Sequence, residues 1–276
     1  MLSSFLRPFE SVIAVDSGHI CVHETGAIEA TGHKINTVRG RDGKVTAGEI
    51  AEVVAGHGDE HMVRPRVVFI SHSTEIGTIY TKKELHEIAA ACKRLNLYLY
   101  LDGARLGSAL TSSAADIDLK EICRLVDAFY IGGTKNGALL GEALVINNPQ
   151  LKPDFRYSMK QKGGLLAKGR ILGIQFLELF RDNLYYDLAR RANEMAQKLT
   201  QGIAELGYGF QTDSPTNQIF PIFPNPVIEA LSEKYRFYTW AKVDNAHSSV
   251  RLVTSWATPE EAVTGFLADL KAIGAK

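Results

Sequence analysis

The sequence of 276 residues has no surplus of charge: 31 Lys and Arg stand against 31 Asp and Glu. That balance excludes the basic footprint selected by a nucleic-acid backbone or an anionic lipid surface, so neither is expected as a partner. Cysteine is scarce. Cys21, Cys92 and Cys123 are odd in number and widely spaced, and no CxxC occurs. A disulfide framework and a zinc ribbon are thereby excluded, and three separate thiols suit a reducing cytoplasm, the compartment expected here. No apolar run reaches the ~18–20 residues that a spanning helix needs. The opening segment 1–8 (MLSSFLRP) lacks the basic start, sustained apolar stretch and small-residue cleavage site of a secretory signal. Neither GxGxxG nor GxxxxGK[ST] is present. Internal repeats and low-complexity segments are also missing. With 45% hydrophobic and 22% charged residues, the composition is too apolar for a disordered chain, and the length accommodates two domains or one large one.

What is present is alternation. Strand-like runs at 11–15 (SVIAV), 35–38, 66–70 (RVVFI), 97–101 (LYLYL), 128–131 (AFYI) and 143–146 are separated by helical patterns. Thr81-Lys82-Lys83-Glu84 is a capping box that opens a helix ending near Asn96, and Leu119 begins a short one. Strand–helix alternation with few hairpin signals predicts an α/β fold with a mostly parallel sheet covered on both faces. After Gly163-Gly164 the pattern changes. Two long helices, 165–180 and 186–206, are predicted to break near Asp182-Asn183. Beyond them lie short strands at 218–223, 237–242 and 250–253, a helix at 225–234, and a last helix opened by Thr258-Pro259. The boundary expected from this is a large domain at 1–184 and a smaller α+β domain at 185–276.

In open parallel sheets functional groups collect just past the carboxyl ends of the strands. Asp16-Ser17-Gly18-His19 follows the first run, Ser71-His72-Ser73-Thr74-Glu75 the third, Asp102-Gly103-Ala104-Arg105 the fourth and Gly132-Gly133-Thr134-Lys135-Asn136-Gly137 the fifth. Four polar clusters would therefore converge on one edge. Lys135 lies between glycines, where nothing asks for a lysine on helical or packing grounds; in a partly desolvated pocket its amine is a usable nucleophile, and on an open surface it is only a charge. Asp102 directly follows an apolar strand and requires a partner if buried. Arg105 supplies one reading of that partner, and the protonated nitrogen of a pyridine ring supplies another. Two histidine pairs, His19/His23 with Glu24 and His57/His61 with Asp59 and Glu60, have helical spacing. Neither is HExxH, and Gly56 and Gly58 disfavour a helix at His57, so no metal site is expected. The stripe Phe176, Leu177, Phe180, Leu184 reads as packing between domains or subunits.

These segments carry a family resemblance. DGARLGSAL and, about thirty residues on, YIGGTKNGALLGEALVI are similar to the PLP-dependent threonine aldolase / β-eliminating lyase family of fold type I. HICVHETGAIEATGHK, SHSTEIGTIYT and RLVTSWAT are similar to it too, in the expected order. The resemblance implies a large domain with a seven-stranded-type sheet like that of aspartate aminotransferase, pyridoxal 5'-phosphate as cofactor, and an amino acid as substrate in a homodimer or homotetramer. It implies that Lys135 holds the cofactor as a Schiff base, that Asp102 pairs with the pyridine nitrogen with Arg105 beside it, and that His19 stacks on the ring. Thr134 is implied as a phosphate contact, and Arg251, aided by Arg105, as the clamp on the substrate carboxylate. Lys160, Lys168 and Arg170 are candidates for a partner subunit's phosphate site. The implied reaction is cleavage of a β-hydroxy-α-amino acid into glycine and an aldehyde. Many threonine aldolases have a histidine where Glu75 falls, so the base is sought first in His19, then in Glu75 or His72. Relatives carry several dozen residues ahead of this start, including a phosphate loop. A weaker cofactor grip and an incomplete dimer contact are expected from that, and another β-eliminating activity or a non-catalytic remnant are the alternatives.

Overall fold

The computed structural model describes residues 1–274. Six strands form the first sheet: β1 (Glu10–Val15), β2 (Ile35–Val38), β3 (Arg64–Ser71), β4 (Tyr98–Asp102), β5 (Ala128–Ile131) and β6 (Ala143–Ile146), in the order β2-β1-β3-β4-β5-β6. The first five are parallel, and β6 runs antiparallel to β5. The fold class is the predicted one, an α/β sheet of fold type I, but with six strands among the described residues where the resemblance implies seven. Every strand-forming run of the first half is already used in these six. The reversal at β6 has a simple cause: loop 132–142 contains no helix, and a parallel return needs a longer crossover.

The helices are α1 (Leu2–Phe5), α2 (His19–Val22), α3 (Ala47–Ala55), α4 (Lys82–Arg94), α5 (Leu106–Leu110), α6 (Leu119–Leu125), α7 (Phe155–Gln161), α8 (Arg170–Leu179), α9 (Leu184–Glu205), α10 (Asn225–Ser232) and α11 (Glu260–Gly274). The Thr81–Glu84 capping box closes both ways at the start of α4, and an equivalent box, Thr46–Glu49, opens α3.

Period-two alternation sends successive strand residues to opposite faces. Ile13, Val68, Ile70, Leu99, Leu101 and Phe129 pack with Leu85, Ile88 and Cys92 of α4, Ile122 of α6 and Tyr185 of α9. Val12, Ala14, Val67, Phe69, Tyr100 and Ala128 pack on the other face with Leu2, Ile20, Ile28 and Leu151. At about 1.5–3 kcal/mol for each fully buried aliphatic or Phe side chain, these two layers are the main force holding the strand ends in register.

A second, antiparallel sheet comprises β7 (Gln218–Ile219), β8 (Ile222–Pro224), β9 (Tyr238–Lys242) and β10 (His247–Val253). Its core sets Met195, Leu199 and Ile203 of α9 against Phe223, Val250, Phe266 and Leu270. The segment leading into β7 is tied to the first sheet: the hydroxyls of Ser214 and Thr216 both donate to the Gly77 carbonyl at 3.0 Å, in the loop after β3.

Several boundaries differ from the sequence reading. The helix expected at 165–180 starts at Arg170, with Gly169, which weakens the turn before it, as its N-cap. The break at Asp182-Asn183 is present, with both residues at positive φ (50° and 64°). The run 218–223 is two strands rather than one, divided at Phe220-Pro221. Helix α7 was not expected, and the last helix begins at Glu260.

Candidate active site

The loops after β1, β3, β4 and β5 meet at one edge of the sheet, and close backbone contacts hold them there. Gly132 N–H donates to the Gly103 carbonyl at 2.9 Å. A Cβ on Gly103 would overlap the Tyr130 carbonyl oxygen, and one on Gly132 would overlap the backbone of Ala104. The DGAR turn and the GGTK loop touch because both residues are glycine.

Asp102 ends β4. Its Oδ1 accepts from the Ala104 N–H at 2.9 Å and from the hydroxyl of Tyr130 on the neighbouring strand. Arg105, three residues on, makes no ion pair with it: among the described residues no carboxylate lies within 4.0 Å of a charged nitrogen of Lys135, Arg105 or Arg251. Arg105 Nε and Arg251 Nε are buried without a hydrogen-bond partner. Burial, then the nearby Arg251 charge, brings the Arg105 guanidinium down to about 10, with Glu75 and Asp102 opposing. The Lys135 side chain reaches solvent, yet its amine is lowered by desolvation first and then by Arg105; Asp102 and Glu142 pull the other way. Three cations thus face one another without bonded counter-charges, which is a site that asks for an anion.

His19 is the first residue of α2. Its backbone N–H is accepted by Glu75 Oε1 at 2.9 Å, and its Nδ1 lies 2.7 Å from Glu24 Oε1. Glu75 is buried. Oε1 also accepts the Ser71 hydroxyl at 2.6 Å, whereas Oε2 has no partner, and desolvation raises the carboxyl pKa. Arg251, on β10, is flanked by the rings of Tyr238 and Trp240, whose centroids lie 5.2 and 5.3 Å from its guanidinium carbon. Trp240 approaches His23, and His23 approaches His19, with centroids 6.3 and 5.1 Å apart. An aromatic series therefore connects the His19 side of the cleft to the Arg251 side. A cavity of about 430 Å³ opens beside Asp102 and Tyr130, lined also by Ile20, Glu24, Phe69 and Tyr100.

Among the sequence candidates, Lys135, Asp102, Arg105, Arg251, Glu75 and His19 come together. Thr134 sits next to them, but its hydroxyl donates to Glu142 Oε1 at 2.9 Å. His72 faces elsewhere. It is buried, its Nδ1 accepts the Tyr80 N–H at 3.3 Å, and burial lowers it to about 4, with Asp116, Lys44 and Glu84 as its charged surroundings. Lys160, Lys168 and Arg170 are exposed on or beside α7 and α8. The stripe on α8 divides: Phe176 packs on the core, while Leu177 is exposed together with Ile171 and Ile174. Tyr130, Tyr238 and Trp240 were missed, and Glu24 was noted beside His19 only as a metal-spacing decoy. Of the three, only Tyr130 carried a signal, as the residue of β5 whose side chain must face the same side as Tyr100. Among the described residues no three His, Cys, Asp or Glu side chains gather as a metal site, and no helix is long and apolar enough to cross a membrane.

The chain resembles known proteins along its whole length. The family model described as beta-eliminating lyase matches residues 1–224. A low specificity L-threonine aldolase of a Pseudomonas species is 37% identical, covering 99% of this chain and 79% of the relative. One from Pseudomonas aeruginosa is 33% identical with the same coverage. The solved structure of Leishmania major threonine aldolase superposes with a TM-score of 0.97 at 47% identity, covering 99% of this chain and 80% of that one.

Proposed function

The chain belongs to the beta-eliminating lyase family, and from that premise we propose that it is a pyridoxal-phosphate-dependent lyase of the threonine aldolase type, cleaving β-hydroxy-α-amino acids into glycine and an aldehyde. The observation that carries the reading is the trio Lys135, Arg105 and Arg251, cationic and without bonded carboxylates, beside Asp102. These residues fit the cofactor. Two buried guanidinium Nε atoms lack acceptors, as an anionic ligand requires. The aspartate's Oδ1 takes two donors, leaving Oδ2 for a cationic ring nitrogen. Bound through an amine, pyridoxal phosphate supplies an electron sink for the pair released at the substrate α-carbon.

The residues divide the remaining work. Lys135 provides the amine, and its lowered pKa makes the neutral, nucleophilic form accessible nearer pH 7. Asp102, oriented by Tyr130 and Ala104, would pair with the cofactor's ring nitrogen and favour its protonated form. Arg251 grips the substrate α-carboxylate with its planar fork, aided by Arg105, and its rotamer is steadied by Tyr238 and Trp240. His19 would lie against the cofactor and would take the β-hydroxyl proton at Nε2, with Nδ1 anchored by Glu24. Glu75 fixes the start of α2 through the His19 N–H, and desolvation raises its carboxyl pKa, which favours the protonated form. Thr134 lies close enough to the lysine to serve the cofactor phosphate once it leaves Glu142.

We read residues 1–184 as the cofactor-binding part, 185–276 as the smaller part, and the cytoplasm as the place of action. A homodimer or homotetramer accounts for the exposed ridge Ile171, Ile174 and Leu177. The function is tested by assaying acetaldehyde released from L-threonine and L-allo-threonine with added cofactor. Release supports the aldolase reading. A cofactor-loaded protein that releases none from either substrate contradicts it.

A further inference from the structure

The loop that presents Lys135 closes on itself around one carboxylate. Glu142, the last residue before β6, accepts the backbone N–H of Gly133 and, at 2.9 Å, the hydroxyl of Thr134. These are the two residues that lead into Lys135. The closure is tight, since a Cβ on Gly133 would lie 2.6 Å from the Gly141 carbonyl oxygen and 2.9 Å from the Phe176 ring. Helix α8 ties the tip of the same loop: Gln175 Oε1 accepts the Leu139 N–H at 2.6 Å, and its Nε2 donates to the Leu140 carbonyl at 3.1 Å. The charged groups facing the Lys135 amine are Arg105 and Arg251, which are positive, and Asp102 and Glu142, which are negative.

We propose that Glu142 is a positioning residue for Lys135, shaping the loop through Gly133 and Thr134 while its charge partly offsets the two guanidinium groups on the amine. No other carboxylate bonds the backbone of that loop among the described residues. Glutamine at 142 would keep the shape, because its carbonyl accepts from Gly133 and its amide donates to a rotated Thr134 hydroxyl, but it would remove the charge. Alanine removes both. Shape and charge are therefore separable. The consequence for catalysis rests on Lys135 being the cofactor-bearing amine, but the positioning does not.

The test uses the 276-residue chain without cofactor. Lys135 is reductively methylated across a pH series and quantified by peptide mass spectrometry, and amide exchange is followed over 132–142. In E142Q the Lys135 amine should titrate at lower pH and react about threefold faster near pH 8, the factor expected from half a pKa unit, while loop exchange stays at the wild-type rate. In E142A or T134A, loop exchange should rise by at least about tenfold, which corresponds to roughly 1.4 kcal/mol of lost protection. Unchanged Lys135 titration in E142Q overturns the electrostatic half, and unchanged exchange in both E142A and T134A overturns the geometric half. Borohydride trapping of pyridoxal phosphate separates this from the functional reading: if the trapped cofactor is not on Lys135, that reading fails while the positioning result stands.

Discussion

Glu75 Oε1 accepts the backbone N–H of His19 at 2.9 Å, so one buried carboxylate joins the loop after β3 to the first residue of the helix after β1. Two strand ends are thereby held together by a residue whose other oxygen is buried without a partner.

Removing that carboxylate strands two donors, the His19 N–H and the Ser71 hydroxyl. Glu75→Ala should destabilise the fold by about 1–3 kcal/mol, the cost of unsatisfied buried groups. Glu75→Gln keeps an acceptor and should lose less than half of that, yet still slow turnover because an amide cannot exchange a proton as a carboxyl can. Thermal melts and kcat, compared across the two variants, check this.

Gly103 allows the Asp102 turn to lie against the backbone of Tyr130. Gly103→Ala must push the DGAR turn away from the GGTK loop. The expected outcome is a cofactor affinity at least about tenfold weaker, roughly 1.4 kcal/mol, measured by equilibrium titration with pyridoxal phosphate at a temperature where the variant remains folded.

Arg251 presents a planar fork held between two rings. Lysine keeps the charge but loses bidentate geometry and stacking. Arg251→Lys should raise KM for the amino acid by about 10–100-fold, in line with the roughly 1.5–3 kcal/mol of a hydrogen bond to a charged group, with a smaller change in kcat. Steady-state kinetics with L-threonine separate the two.

His72 gives the protein an acid-side instability. Buried and lowered to about 4, it binds fewer protons folded than unfolded, where its pKa is about 6.5. Stability should therefore fall as pH drops from about 6.5 towards 4, by up to about 3 kcal/mol from this group. Above that window the contribution is constant. Denaturant unfolding across the range should show this slope in the wild type, and His72→Asn should flatten it.

The meeting of four loops was legible in the sequence because each strand is a short apolar run with polar residues immediately past its carboxyl end. Lys135, Asp102, Arg105, His19 and Glu75 all stand at such positions. Thr81 and Glu84 marked a helix start through spacing alone. Tyr130 was harder to see, since it lies inside the apolar run of β5 and its role depends on pairing with β4. Glu142 and Trp240 left no local signal. One reaches back across a loop closed by Gly133 and Gly141, and the other meets Arg251 only through the register of β9 on β10. The antiparallel β6 and the division at Phe220-Pro221 have local causes, the short loop 132–142 and Pro221, that a pattern of apolar runs does not weigh.

The central claim is that Lys135, in the loop after β5, is the amine that takes the cofactor. Titrating the protein with pyridoxal phosphate while recording its visible absorbance, in parallel with Lys135→Ala, tests it most directly. The account predicts a saturable band in the wild type that is lost in Lys135→Ala, with borohydride fixing the cofactor to the peptide containing Lys135. An equal band in the alanine variant, or a label fixed on another lysine, would contradict it.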